Sequence, residues 1–179
     1  MIIENTPIKD LMLITPNVFG DERGYFMETY NKKSLEKAIK AAFVQDNESL
    51  SQKDVLRGLH FQKPPFAQAK LIRVIFGSIL DVAVDIRKDS ETYGQHFKHI
   101  LSSENRKQLY IPAGFAHGFL CLEDDTIVNY KCSEFYNKNS EASLLWNDAD
   151  LNIDWGMKDP ILAEKDKLAE KFSTFENPF

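Results

Sequence analysis

Leu80-Asp81-Val82-Ala83-Val84-Asp85-Ile86-Arg87 decides the fold class: large apolar side chains hold every even position, while Asp81, Asp85 and Arg87 share the odd set. A period of two places successive side chains on opposite faces of a strand, so the stretch reads as a strand buried on one face. Just upstream, "KLIRVIF" (70–76) is a second strand, and the intervening Gly77-Ser78 is a step of the kind that closes a hairpin. Further strands are expected at 43–48, 55–62, 96–101, 107–111, 117–122 and 126–132. The turn-like stretches "KPPFA", "KDSETYG", "SSENR", "IPAG" and "EDD" separate them. Many short strands at close spacing point to an all-β sandwich or closed barrel.

Helical patterning is confined to two places. "NKKSLEKAIKAAF" (31–43) spaces Leu35, Ile39 and Ala42 near a helical period behind Asn31, a capping residue. "ILAEKDKLAEKF" (161–172) is rich in helix formers and follows Pro160, which marks the end of the sheet region. The chain, 1–179, is therefore read as a single domain with a strand core over about 10–155 and a C-terminal helical segment over about 160–172. With 43% hydrophobic and 27% charged residues in 179, it can bury one substantial core and not two.

The formal charge of −5 is mild and unclustered, which argues against nucleic acid or an anionic membrane as partner. No stretch approaches the roughly twenty apolar residues of a membrane span, and "MIIENTPIKD" lacks the basic and apolar regions of a secretory signal. A cytoplasmic protein is expected. Cys121 and Cys132 lack CxxC spacing and read as buried structural thiols.

Chemistry concentrates in "GDERGYFMETY" (20–30), "FVQDN" (43–47), "VLRGLHFQKPPFAQAK" (55–70) and "IPAGFAHGF" (111–119). His96 and His99 read as ordinary strand histidines. His60 differs, because Arg57, Gln62 and Lys70 lie close to it in sequence and Gly58 permits close backbone approach to a ligand. Burying so many donors unpaired would be costly, so an anionic or heavily oxygenated ligand is the economical explanation. Arg23, Arg57, Lys70 and Lys165 are candidate diphosphate or oxyanion contacts. The series Phe19, Tyr25, Phe26 and Tyr30 is expected in core and sheet packing. Tyr136, which follows the strand containing Tyr130, is the better platform for stacking a base.

The ordered set "FGDERGYFMETY", "FVQDNESLSQKDVLRGLHFQKPPFAQAKLIRV", "GSILDVAVDIRKDSETYG", "LSSENRKQLYIPAGFAHGFLCL", "YKCSEFY" and "LLWNDADLNIDW…ILAEKD" resembles the dTDP-4-dehydrorhamnose 3,5-epimerase family over roughly residues 5 to 170. The resemblance implies a cupin-like jelly roll with a few short peripheral helices, a homodimer, a small-molecule sugar nucleotide as ligand, and no metal or organic cofactor. It makes His60 the catalytic base, Asp166 its orienting partner, Lys70 the group facing the sugar carbonyl and Tyr130 the acid. It places Tyr136 against the thymine, and Arg23, Glu28, Gln45, Asp46, Asn47, Arg57, His117, Glu141 and Lys165 around the nucleotide, diphosphate or hexose. The one departure noted, phenylalanine in "LHFQ" where tyrosine is common, keeps an aromatic ring.

The implied chemistry inverts C3 and C5 of dTDP-4-dehydro-6-deoxy-D-glucose through an enolate. A neutral imidazole removes a proton beside the ketone, a cation stabilises the oxyanion, and a phenol delivers a proton from the opposite face. One alternative inverts a single centre, or acts on another nucleotide-linked 4-keto-6-deoxy sugar. A metal cupin is a further rival, since "PAGFAH" has the Pro-x-Gly-x-x-His form of that family's second motif. His60-Phe61-Gln62, however, lacks the His-x-His pair of the first motif. A non-catalytic sugar-nucleotide binding module would not need His60, Asp166 and Tyr130 together.

Overall fold

The strands on either side of Gly77 lie in different sheets of the computed structural model, which describes residues 1–179. One antiparallel sheet has the order β1 (Ile2–Asn5), β2 (Met12–Thr15), β10 (Gln108–Ile111), β7 (Lys70–Phe76), β12 (Thr126–Cys132), β5 (Gln45–Ser51). The other runs β13 (Glu141–Ser143), β6 (Leu56–Gln62), β11 (Phe115–Cys121), β8 (Ser78–Asp85), β9 (His96–Ser102). Gly77 thus makes a corner between sheets and not the hairpin its Gly-Ser sequence suggests. Its φ of +77° and the 2.4 Å that would separate a Cβ from Thr126 Oγ1 exclude a side chain at that corner. The result is the all-β, cupin-like jelly roll that the sequence leads one to expect.

The two sheets face each other over a core built by alternation. Ile72, Val74 and Val128 from the first sheet meet Ile79, Ala83, Phe115, Phe119 and Cys121 from the second, all buried. The even face of β8 is buried as well: Val82 and Val84 pack with Trp146, Leu151, Trp155 and Phe175 of the C-terminal segment. This corrects the half-buried reading of residues 80–87. The polar set of that strand points inward, where Asp81 and Asp85 are fully buried and hold partners of their own.

Both helices are far shorter than the patterns at 31–43 and 161–172 suggest. α1 covers Lys32–Leu35, with the Asn31 side chain accepting from the Ser34 N–H, and α2 covers Glu164–Lys167. Beyond α1 the chain lays Leu35 and Ile39 onto the outer face of the first sheet against Ile14, Leu71 and Tyr110. Around α2 the flanks are tied in extended form: Leu56 N–H donates to the Ile161 carbonyl (3.0 Å) and Leu145 N–H to that of Glu170 (2.8 Å). Tertiary packing overrides a propensity worth only tenths of a kcal/mol per residue.

A separate hairpin, β3 (Val18–Asp21) with β4 (Gly24–Met27), joins neither sheet. Phe19, Tyr25 and Phe26, expected in packing, stay 63%, 57% and 66% exposed. A ribbon paired only with itself has no second layer to cover them.

Asp85 anchors the far end of the barrel. Its carboxylate accepts from the Arg87 N–H and guanidinium, Ser90 Oγ and Thr92 Oγ1. Burial alone would raise its pKa, but Arg87, Ser90 and Thr92 hold it below the usual aspartate range. The stabilisation is therefore present above the unfolded aspartate pKa, about 3.9, and is lost as pH falls through the lower folded value. Asp85→Ala should cost about 3 kcal/mol in denaturant melts near neutrality, by stranding these donors, and the deficit should shrink on acidification below that pKa.

Candidate active site

Where β6 runs beside β11, Arg57 pairs with Phe119 and His60 with His117, so three steps on one strand match two on the other. In a regular strand, residues three apart face opposite ways. The bulge turns both Arg57 and His60 toward the space between the sheets. It depends on two glycines. Gly58 has φ +137°, a Cβ there would sit 2.4 Å from Gly118 Cα, and a Cβ on Gly118 would sit 2.8 Å from the Arg57 carbonyl.

His60 Nε2 lies 2.6 Å from Asp166 Oδ1, and Asp166 is 1% exposed. An ionised carboxylate only accepts, so Nε2 carries the proton and Nδ1 keeps its lone pair for a reacting group. A second buried pair stands next to the first: His117 Nε2 is 2.7 Å from Asp81 Oδ1. Burial pushes the His117 pKa below its ordinary value despite the opposing Asp81 carboxylate, and the other Asp81 oxygen has no partner.

Lys70 and Tyr130 approach from the opposite sheet. Lys70 shares the inward parity of Ile72 and Val74 on β7, and Tyr130 that of Val128 on β12. Burial lowers the Lys70 pKa, while the acidic groups Asp81 and Glu141 act on it without a hydrogen bond. Burial raises that of Tyr130, which keeps its phenol proton. Two adjoining cavities, of about 350 and 420 Å³, share His60, Lys70, Tyr130 and Glu141.

The remaining candidates divide. Gln45, Asn47 and Tyr136 line the first cavity; Arg57, His117 and Lys165 line the second. Arg57 Nε donates to Ser51 Oγ of the opposite sheet (3.0 Å). Lys165 pairs with Glu141 at 2.6 Å, and Tyr136 donates its hydroxyl to the same carboxylate at 3.0 Å. Burial alone would raise the Glu141 pKa, yet these two partners hold it low. Asp46 is not brought in: it has outward parity on β5 and pairs with Lys131 at 2.8 Å. Arg23 sits on the exposed hairpin bound to Asp21, and Glu28 just beyond it accepts from Asn31.

Residues 5–174 match the family described as dTDP-4-dehydrorhamnose 3,5-epimerase. This chain belongs to that family. It is 50% identical over 174 residues to the Shigella flexneri dTDP-4-dehydrorhamnose 3,5-epimerase, covering 96% of each chain. A crystal structure of the Bacillus anthracis enzyme with TDP and PPi bound is 48% identical, with a TM-score of 0.93 over 95% of this chain and 98% of that one. The Legionella pneumophila epimerase, solved in complex with dTDP-4-keto-L-rhamnose, is 45% identical, with a TM-score of 0.93 over 97% of this chain and 94% of that one.

Within this epimerase, Asp81 is a site residue that sequence reasoning missed, as are Gln68 and Ser49 of the cavity walls; Asp81 sits in the polar half of an alternating strand and passes for a solvent-facing residue. No sequence signal marks it: the inward direction that Asp81 shares with Asp85 shows only in the folded chain. His96 and His99 line neither cavity. No three His, Cys, Asp or Glu side chains are grouped to suit a metal ion.

An oxyanion contact needs Lys70 protonated, and its lowered pKa brings loss of that proton below the ordinary lysine range. The pH profile of kcat/KM should therefore carry an alkaline limb below the ordinary lysine pKa of about 10.4. Lys70→Arg, whatever activity it retains, should move that limb upward, since guanidinium stays charged. A limb that stays in place would assign it to another group.

Proposed function

We propose that this epimerase inverts C3 and C5 of dTDP-4-dehydro-6-deoxy-D-glucose, giving dTDP-4-dehydro-L-rhamnose, by proton transfer through an enolate. The observation that carries this reading is the placement of the His60–Asp166 dyad on one side of the cleft, with Lys70 and Tyr130 supplied by the opposite sheet. His60 takes the proton beside the ketone, and Asp166 stabilises the resulting imidazolium. The electron pair moves onto the carbonyl oxygen, where the Lys70 ammonium stabilises the enolate more than the ketone. Tyr130 then gives its phenol proton to the carbon from the other face. The 4-keto group serves both centres, so the chemistry requires no metal or organic cofactor.

Arg57 and Lys165 stand at the mouth as the diphosphate contacts, and the half-exposed Tyr136 ring receives the thymine. The TDP and dTDP-sugar carried by the related structures support a sugar nucleotide as the ligand. A homodimer belongs to the same proposal. The β3–β4 hairpin exposes three aromatic rings and carries Arg23 away from its own cavities, as a ribbon docking on a second copy would. A cytoplasmic setting fits the two free, buried thiols, and no helix is long and apolar enough to cross a membrane.

Deuterated water separates the two proton carriers. Tyr130→Phe should still form enolate and take up label at the first-attacked carbon, while inverted product falls by a factor on the order of a hundred or more. His60→Asn should take up none. Mass spectrometry reads the label and NMR the configuration; normal inversion by the Tyr130 variant would remove it from the mechanism.

Mixing tests the dimer. If Arg23 serves its partner's site, an Arg23→Ala protein and a His60→Asn protein, each impaired alone, should regain up to about a quarter of wild-type activity after subunit exchange. Half of the dimers are then mixed, each with one intact site of two. If Arg23 acts within its own chain, mixing restores nothing.

A further inference from the structure

The backbone of the segment carrying Tyr136 is held by three glutamine side chains. Gln68 Nε2 donates to the Glu134 carbonyl (2.7 Å), and Gln62 Nε2 to that of Phe135 (3.1 Å). Gln45 Oε1 accepts from the Tyr136 N–H (3.0 Å), and Gln62 Oε1 from that of Asn137 (2.7 Å). Gln62 also donates to the Phe66 carbonyl at 2.7 Å. Four successive residues of an irregular segment thus have a backbone group taken by a side-chain amide. Gln62, 5% exposed, stands at the centre. Both its amide hydrogens are spent on carbonyls, so it has no donor left for a ligand.

We propose that Gln62 is a positioning residue for nucleotide recognition, fixing the segment 134–137 so that the exposed Tyr136 ring is preset to stack on the base. This rests on the reading above in which Tyr136 receives the thymine. An exposed ring on a freely moving loop would lose conformational entropy on binding, and a loop already clamped loses less. The arrangement also ties recognition to chemistry, because Gln62 and His60 are two residues apart on β6 and face the same cleft. Base platform and general base therefore hang from one strand, which sets the reach from thymine to hexose. Glu141, bonded to the Tyr136 hydroxyl, pairs beside them with Gln62 across β13 and β6.

Gln62→Met keeps volume and removes all three bonds. Calorimetric titration with dTDP should show Kd about tenfold weaker, the scale of losing buried hydrogen bonds at the platform. The loss should appear in KM of the sugar nucleotide, with kcat changed by less than about threefold, since the His60–Asp166 pair is untouched. Amide hydrogen exchange in the free protein should accelerate across 134–137 and stay unchanged in β11. A merely structural glutamine would lower Tm while the folded protein bound dTDP normally, and that result would overturn the proposal. So would a fall in kcat at unchanged Kd. Tyr136→Ala separates the two levels: if it leaves the dTDP Kd unchanged, the site reading itself fails. If it weakens binding and Gln62→Met does not, only the positioning role fails. Should the methionine variant not fold, Gln68→Ala releases the Glu134 carbonyl alone from a partly accessible position. It should then weaken dTDP about threefold, and no change would equally overturn the proposal.

Discussion

Gly58 and Gly118 approach each other more closely than any side chain would permit, and the chemistry of the cleft depends on that crossing. Without it, β6 and β11 would pair in regular register, and Arg57 and His60 would face opposite sides of the sheet. The proposed diphosphate contact and the proposed general base could not then serve one ligand from this strand. The bulge is thus a device for counting residues: it changes the parity of β6 once, between the two functional positions. Everything after it, including His60 and Gln62, keeps the new parity through the pairing with β13.

Alternation explains why polar groups can fill one end of a barrel whose other end is hydrocarbon. Along β7 the inward series is Lys70, Ile72, Val74; along β12 it is Cys132, Tyr130, Val128. Each strand passes from core to cleft without changing face. The cost lies in desolvation, and the groups meet it differently. The Asp166 and Asp81 carboxylates each hold a histidine N–H, whereas the Lys70 ammonium is left without a direct partner. In the proposed mechanism an ammonium so placed has its strongest interaction still to make, with charge that develops only when the ketone becomes an enolate.

The fold class was legible from the sequence because period-two alternation is a local signal, and the central strands fall within a few residues of their expected bounds. What alternation does not carry is which face meets water. In residues 80–87 the polar set is the interior one, and its apolar set is covered by Trp146 and Trp155, more than sixty residues later. The two helical patterns misled for a related reason: Leu35 and Ile39, and the flanks of α2, are fixed by distant strands. The same limit applies to the cleft. His60, Lys70 and Tyr130 stand out as chemistry-bearing types inside strands, but Asp81 cannot be told from a surface aspartate until its neighbour is known. Asp46, with the same side chain, has outward parity and stays on the surface.

Asp166 shows how a residue of a four-residue helix can be placed well enough to hold an imidazole. α2 has no side-chain cap, and so short a helix has little stability of its own. Its position comes from the ties on either side, at Ile161 to β6 and at Glu170 to the chain after β13. β13 also pairs directly with β6. Both anchors therefore lead back to the strand that carries His60, and the dyad is referenced to a single element although its members are 106 residues apart. Successive helical residues turn by about 100°, so Lys165 points outward to Glu141 while Asp166 is buried against the imidazole. One turn of helix thereby serves the mouth of the cleft and its floor, and movement of the C-terminal segment would disturb both together.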